Sequence, residues 1–221
     1  MIESCGQPMF ALLLLVLGIP PLAQKGEPTD QVRQTTETVL AIVQAPNLKG
    51  PGNDAERQKR MKQAVDERFD WAAMARGVIG RQWRELSDAQ RTELSGLFSE
   101  LIARDYISKV ESYSGEKILY KGDRVDGKRG VVVVVVTVRG AEVPVSYRVL
   151  KKGTEWLVYD VIIGGKSMAN NCRSQMGVSL DHPSYDDLIS GIRAKIAESA
   201  PEQGEKKSGA TTEQKSGKGA R

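Results

Sequence analysis

Groups able to do acid–base, nucleophilic or metal chemistry are scarce in this chain. Its 221 residues hold one histidine, His182, and two cysteines, Cys5 and Cys172. A Cys/His zinc cluster and a CxxC redox pair both need more of these residues, so neither can be assembled. A Ser-His-Asp relay would depend on His182, which sits in the turn sequence Asp181-His182-Pro183-Ser184 and reads as a solvated loop residue. The carboxylate pairs Asp123/Asp126 and Asp186/Asp187 fall in a turn and at a helix start, where acids serve capping and solubility. Asp160, between Tyr159 and Val161, is the one strand carboxylate suited to a pocket enzyme of the isomerase or dehydratase type, which aims a buried acid at its substrate. Gly50-Pro51-Gly52 and Gly164-Gly165 lack the Lys and helix of a phosphate loop. The balance points away from an enzyme and calls for no metal and no cofactor.

The elements that would position a site centre on Val131–Val138, seven valines and a threonine in eight positions. Such β-branched residues are stiff at χ1 and favour a pleated surface. The run is too short to cross a bilayer as a helix, and Gly130 and Gly140 bound it. It is apolar on both faces, which implies an apolar cover on each: a helix, or a bound apolar ligand. Strands are expected at about 116–124, 129–139, 142–151 and 154–163, joined by the hairpin signals Asp126-Gly127, Gly140 and Lys152-Gly153 into an antiparallel meander. Pro144 marks an edge-facing or bulged position.

Helices flank this sheet in sequence. Thr29 or Asp30 caps a first helix with Val32, Thr36, Val39, Leu40 and Val43 on one face, ended by Pro46. Asn53 caps a second helix reaching about Phe69, with Met61, Val65 and Phe69 on its stripe. Asp70 caps a third, Trp71 to Ile79, closed by Gly80. Ser87-Asp88-Ala89-Gln90 is a capping box that opens the longest helix, to about Val110, with Leu94, Leu97, Phe98, Leu101, Ile102 and Tyr106 on one side. Ser167 to about Met176 and Ser184 to Ala197 read as the last two helices.

Length suits one domain of about 170 residues between a leader and a tail. Met9–Ile19 is an apolar run of signal-peptide length, so residues 1–23 read as a signal peptide and 24–198 as the folded domain. Removal of the leader leaves Cys172 as the sole thiol, open to adventitious dimer formation if exposed in an oxidising compartment. From Ser199 to the end the composition is that of a disordered basic tail, with five basic and three acidic residues. The net charge of +4 and pI near 9.0 come without aromatic residues interleaved among the basic ones, so nucleic acid is not an expected partner.

Several stretches, taken in order, resemble the MlaC-type (toluene-tolerance) periplasmic phospholipid-binding proteins. They are Phe69-Asp70-Trp71-Ala72-Ala73-Met74-Ala75-Arg76, Gly80–Arg91, Tyr106–Glu116, Val143–Arg148, Trp156–Val161 and Gly165–Met168, and the likeness covers about residues 30–197. The resemblance implies an α+β fold: a four-stranded antiparallel sheet packed against a helical layer, with an apolar lipid pocket between them. It further implies a periplasmic carrier that shuttles phospholipid between an outer-membrane lipid-extracting complex and an inner-membrane ABC transporter with its periplasmic lipid-binding subunit. Such carriage serves to maintain outer-membrane lipid asymmetry. A hopanoid-associated group of similar proteins makes a hopanoid or other lipid the alternative cargo. A non-lipid interaction module of an envelope transporter is the alternative function. Where the family reads Asn-Tyr-Arg-x-Gln-Phe, this chain has Asn171-Cys172-Arg173-Ser174-Gln175-Met176, which changes the pocket at that end.

Put on these elements, the expected lining is Trp71, Met74, Val78, Leu97, Leu101, Val133, Val135, Tyr147, Val149, Trp156, Val158 and Met168. The headgroup is expected to stay in water at the mouth, with little selectivity among headgroups. Arginine at Val149 or Leu101 is expected to abolish lipid binding and leave a folded protein.

Overall fold

The computed structural model describes residues 27–50, 52–175 and 184–198, excepting the side chains of 107–109 and 175. The leader 1–23, Cys5, Met176, His182 and the tail 199–221 lie outside the described residues. Four helices lead: α1 Pro28–Gln44, α2 Asp54–Asp66, α3 Trp71–Ile79 and α4 Asp88–Glu111. The strands β1 Ile118–Asp126, β2 Arg129–Val138, β3 Ala141–Lys152 and β4 Glu155–Ile163 follow, then a two-residue β5, Lys166–Ser167. Two helices, α5 Met168–Gln175 and α6 Tyr185–Glu198, end the described chain. The sheet is an antiparallel meander in sequence order, with five strands rather than four. The added strand has a local cause: Gly164 and Gly165 both take positive φ, and the reversal lays Lys166 and Ser167 beside Ile163 and Ile162.

Helix boundaries follow their caps. The Asp70 side chain accepts from Ala73 N at 3.1 Å, and Gly80, at φ 65°, ends α3. Ser87 and Gln90 form the reciprocal box, with Ser87 N donating to Gln90 Oε1 at 2.9 Å and Gln90 N to Ser87 Oγ at 3.3 Å. Two expected caps are absent. Helix α1 starts at Pro28, whose fixed φ suits the first turn, and Thr29 instead bonds through both its amide and its hydroxyl to Asp123 of β1. Asn53 turns back to donate to Lys49 O at 3.3 Å and leaves the start of α2 uncapped by a side chain. Pro144 sits where the β3–β4 ladder stops at Val145, and its carbonyl accepts from Gly164 N at 2.9 Å. A missing N–H at that end disrupts no ladder bond.

The register divides the valine run. Val132 and Val134 pair with Tyr147 and Val145 of β3, are buried, and join a core with Val32, Met74, Val78, Leu94, Phe98 and Leu101 of the helices. Val131, Val133 and Val135 alternate to the opposite face. Their neighbours there are Arg124 and Arg148, Gly122 and Ser146, and Leu119 and Pro144. None of these belongs to a hydrophobic cluster of the described residues. The expectation of an apolar cover on both faces is therefore corrected: the helical layer lies on one face, and on the other the valines stand half-buried among proline, serine and arginine side chains. Arginine stems and cross-strand neighbours screen apolar surface at such positions without a second layer.

Candidate functional site

Two hydrophobic clusters lie side by side. The larger joins the covered sheet face to α3, α4, α5 and α6, and the smaller consists of Val39, Val43 and Met61 with Ile42, Val65 and Val110 packed on it. An apolar cavity of about 70 Å³ opens where they meet. Val39 of α1, Met61 and Val65 of α2, Trp71 of α3, and Ile102, Tyr106 and Val110 of α4 line it, with Lys62, Asp66, Ser99 and Ala103. A shallow depression of about 400 Å³ on the outer side of α2 shares Lys62 and Asp66 with the cavity. That pair therefore stands where apolar space meets solvent.

A hydrogen-bond network closes this point. Lys62 Nζ donates to Asp66 Oδ2 at 2.5 Å and to Ser99 Oγ at 2.6 Å. Ser99 Oγ donates in turn to Asp66 Oδ1 at 2.7 Å, which also accepts from Trp71 Nε1 at 2.9 Å. Along α2, Arg57 bridges to Glu111 of α4 at 2.9 Å. Helix α2 buries Met61 but carries polar residues over most of its length, so polar contacts hold much of it to the protein. The opposite end of α1 is clasped more firmly. Buried Gln31 accepts from Trp156 N at 2.9 Å and from Arg68 Nη1 at 2.7 Å, while Arg68 also bonds Glu155 Oε2 and Trp156 O, each at 3.1 Å. Burial holds the Arg68 pKa below its ordinary value.

Of the twelve expected lining residues, Trp71 alone faces this cavity. Met74, Val78, Leu101, Val149, Trp156, Val158 and Met168 lie in the larger core, and Leu97 and Tyr147 pack on its margin. Burial pushes the Tyr147 hydroxyl up to about 12. Val133 and Val135 are on the wrong face; Val132 and Val134 occupy the positions expected of them, because the strand register is one residue out of step with that expectation. Sequence reasoning missed Val39, Met61, Val65, Ile102 and Tyr106 as cavity residues, having placed them on ordinary core stripes. The available signal was Lys62 and Asp66 interleaved with Met61 and Val65 on an otherwise polar helix.

Two other expectations resolve here. Asp160 is 3% exposed, and its oxygens accept from Arg148 Nη1 at 3.2 Å, Ser167 Oγ at 2.8 Å and Ala169 N at 3.1 Å. It fixes the start of α5 and lines neither the apolar cavity nor the depression on α2. Cys172 is buried rather than exposed, and burial pushes its thiol up to about 11, so it is poorly placed for adventitious disulfides. Beside it Arg173 donates to Val78 O at 2.7 Å and Gly77 O at 2.9 Å, tying α5 to the end of α3. Among the described residues, no group of three or more His, Cys, Asp or Glu is arranged to hold a metal ion.

The family model described as MlaC protein matches residues 33–194. The chain belongs to the MlaC protein family. It is 27% identical over 127 residues to the intermembrane phospholipid transport system binding protein MlaC of Haemophilus influenzae, a match covering 55% of this chain and 59% of that protein. The chain thus spans about three fifths of the length of this curated relative. The fold is similar to that of a phospholipid-binding protein from Ralstonia solanacearum solved in complex with a phospholipid. The TM-score is 0.70 at 23% identity, over 80% of this chain and all of that one. The α+β architecture expected of the family is the one observed, with the short β5 added. No helix of the described residues is long and apolar enough to cross a membrane.

Proposed function

We propose that this member of the MlaC family is a non-enzymatic lipid carrier of the periplasm. It takes the acyl chains of a diacyl phospholipid between its helical layer and the covered face of its sheet. It shuttles them between an outer-membrane lipid-extracting complex and an inner-membrane ABC transporter with its periplasmic lipid-binding subunit. The observation that carries this reading is the apolar cavity at the junction of the two hydrophobic clusters. The phospholipid held by the Ralstonia protein and the transport system named for the Haemophilus relative support the choice of cargo.

The energetics favour such a device. At about 0.8 kcal/mol per methylene, some thirty acyl methylenes represent on the order of 20 kcal/mol of hydrophobic free energy, which forbids useful escape from a bilayer into water. A lining of Val, Met, Ile and Trp makes the exchange nearly neutral, and docking to a membrane complex tips it. A cavity of 70 Å³ falls well short of the roughly 300–1,000 Å³ of ligand sites. Loading requires a wall to move. Helix α2 is that wall, since polar contacts bind much of it, while the clasp of Gln31 and Arg68 holds α1 to the β3–β4 hairpin. Moving α2 outward enlarges the cavity beside Trp71, which also packs on the larger core.

Native mass spectrometry of the protein secreted into a bacterial periplasm, followed by organic extraction, tests this reading. A stoichiometric adduct with the mass of a diacyl glycerophospholipid is expected. A polycyclic adduct would change the cargo to a hopanoid. A lipid-free mass that persists after incubation with vesicles would sink the carrier reading and leave an interaction module.

A further inference from the structure

We propose that the end of the sheet formed by the β1–β2 and β3–β4 turns is a docking surface for an anionic lipid bilayer. Such attachment needs no lipid in the cavity and so goes beyond the carrier reading. The surface follows from the way the meander ends. Antiparallel strands joined by tight turns return alternate turns to the same end of a sheet. Here Lys151 N donates to Lys128 O at 2.8 Å, so the two turns are bonded side by side. Five cations gather there, all exposed: Arg124, Lys128 and Arg129 on the first hairpin, Lys151 and Lys152 on the second.

The acids nearby are turned away from this end. Asp123 accepts from the amide and hydroxyl of Thr29, and Glu155 Oε2 accepts from Arg68 Nη1 at 3.1 Å, so both carboxylates are held by groups outside the sheet. Asp70, the N-cap of α3, lies 2.7 Å from Lys152 Nζ and neutralises it. Arg124, Lys128 and Arg129 enter no ion pair among the described residues, and Asp126, opposite Arg129 in the register, is the acid that remains beside them. Val125, between Arg124 and Asp126, is 46% exposed, the most open large apolar side chain of the described residues. Cations around an exposed apolar side chain suit a bilayer: the charges attract lipid phosphates, and the apolar group enters the headgroup layer. A bilayer also presents a continuous negative plane and asks for no fixed geometry from side chains that no partner holds. The opposite end of the sheet differs. Its exposed cations Lys117, Arg139 and Lys166 are spread from the start of β1 to β5, with Glu142 near Arg139 at the β2–β3 turn.

Co-sedimentation with vesicles tests the proposal, using the protein secreted into a bacterial periplasm. One set of vesicles is phosphatidylcholine alone, the other equimolar phosphatidylcholine and phosphatidylglycerol. At low ionic strength the protein is expected to bind the anionic set about tenfold more tightly or better. In about 1 M salt, where the screening length falls to about 3 Å, the difference should vanish. A variant with Arg124→Gln, Lys128→Gln and Arg129→Gln, altered only at exposed positions, is expected to lose most of the preference. A variant with Lys117→Gln, Arg139→Gln and Lys166→Gln lowers the net charge equally at the opposite end and is expected to keep it. Equal binding of the wild type to both sets, or a preference that persists in high salt, would overturn the proposal. Equal losses in the two variants would show that net charge alone is read and overturn the assignment to this end. An unaltered preference in the first variant would overturn it as well and move the contact elsewhere, the basic residues of 199–221 being the next to remove.

Discussion

Val132 and Val134 are 0% and 2% exposed, whereas Val131, Val133 and Val135 of the same strand remain half-buried. The chemistry of the two sets is identical, so the difference belongs to what each face meets. On one face the neighbours are Tyr147, Val145 and, across the interface, Val32, Met74 and Phe98. On the other they are Gly122, Ser146, Pro144, Arg124 and Arg148, with Leu119 left 40% exposed. An apolar strand thus need not be covered twice. Surface valines flanked by polar side chains are ordinary in proteins.

The sharpest way to break this contrast is to place a charge on each face. Val149 has no exposed surface and lies on the covered side, so Val149→Arg buries an unpaired cation. A loss of at least about 4 kcal/mol in urea denaturation is expected, more than a variant that folds and merely loses its lipid would show. Val133→Arg, on the open face, is expected to change stability by less than about 1 kcal/mol. Comparable losses at both positions would mean that the faces are not distinct.

A smaller effect is expected from pH. Cys172 packs into the larger core with its pKa raised to about 11, chiefly by burial, against 9.0 as an ordinary thiol. The folded state holds the proton more tightly, so its contribution is complete below pH 9 and is lost as pH rises through 11. The expected loss is about 2–3 kcal/mol over that interval, and Cys172→Ala should remove this component of the slope. A thiol reagent at pH 8 should also label the native protein far more slowly than the unfolded chain.

The finest comparison is methyl by methyl. Val134→Ala should cost about 2 kcal/mol, whereas Val135→Ala, its neighbour on the open face, should cost about 0.5 kcal/mol, both measured by thermal or chemical unfolding. A gradient of this size along one strand would fix the boundary of the covered face to single-residue precision.

Local signals carried much of the fold. Asp70 and Gly80 bounded α3, Ser87 and Gln90 opened α4, and turn residues placed the hairpins, since each acts through bonds to residues a few positions away. Thr29 failed as a cap for the opposite reason, a distant partner in Asp123 that competed with its own helix, whereas Asn53 bonded the nearby Lys49 carbonyl instead. The candidate site was less legible. Trp71 was recognisable, but Met61, Lys62, Asp66 and Ser99 come together from α2 and α4 and have no shared signature along the chain.

The sequence by itself determined the strand-forming valine run, the caps of α3 and α4, the antiparallel order and the scarcity of catalytic groups. These depend on residue type and short spacing. Tertiary structure decided which parity of the valines faces the helices, because a register shift of one residue inverts every side chain and the run reads the same either way. It also decided where the cavity lies. That depends on how the smaller cluster of α1 and α2 abuts the larger core, a packing of distant surfaces that no single stretch encodes.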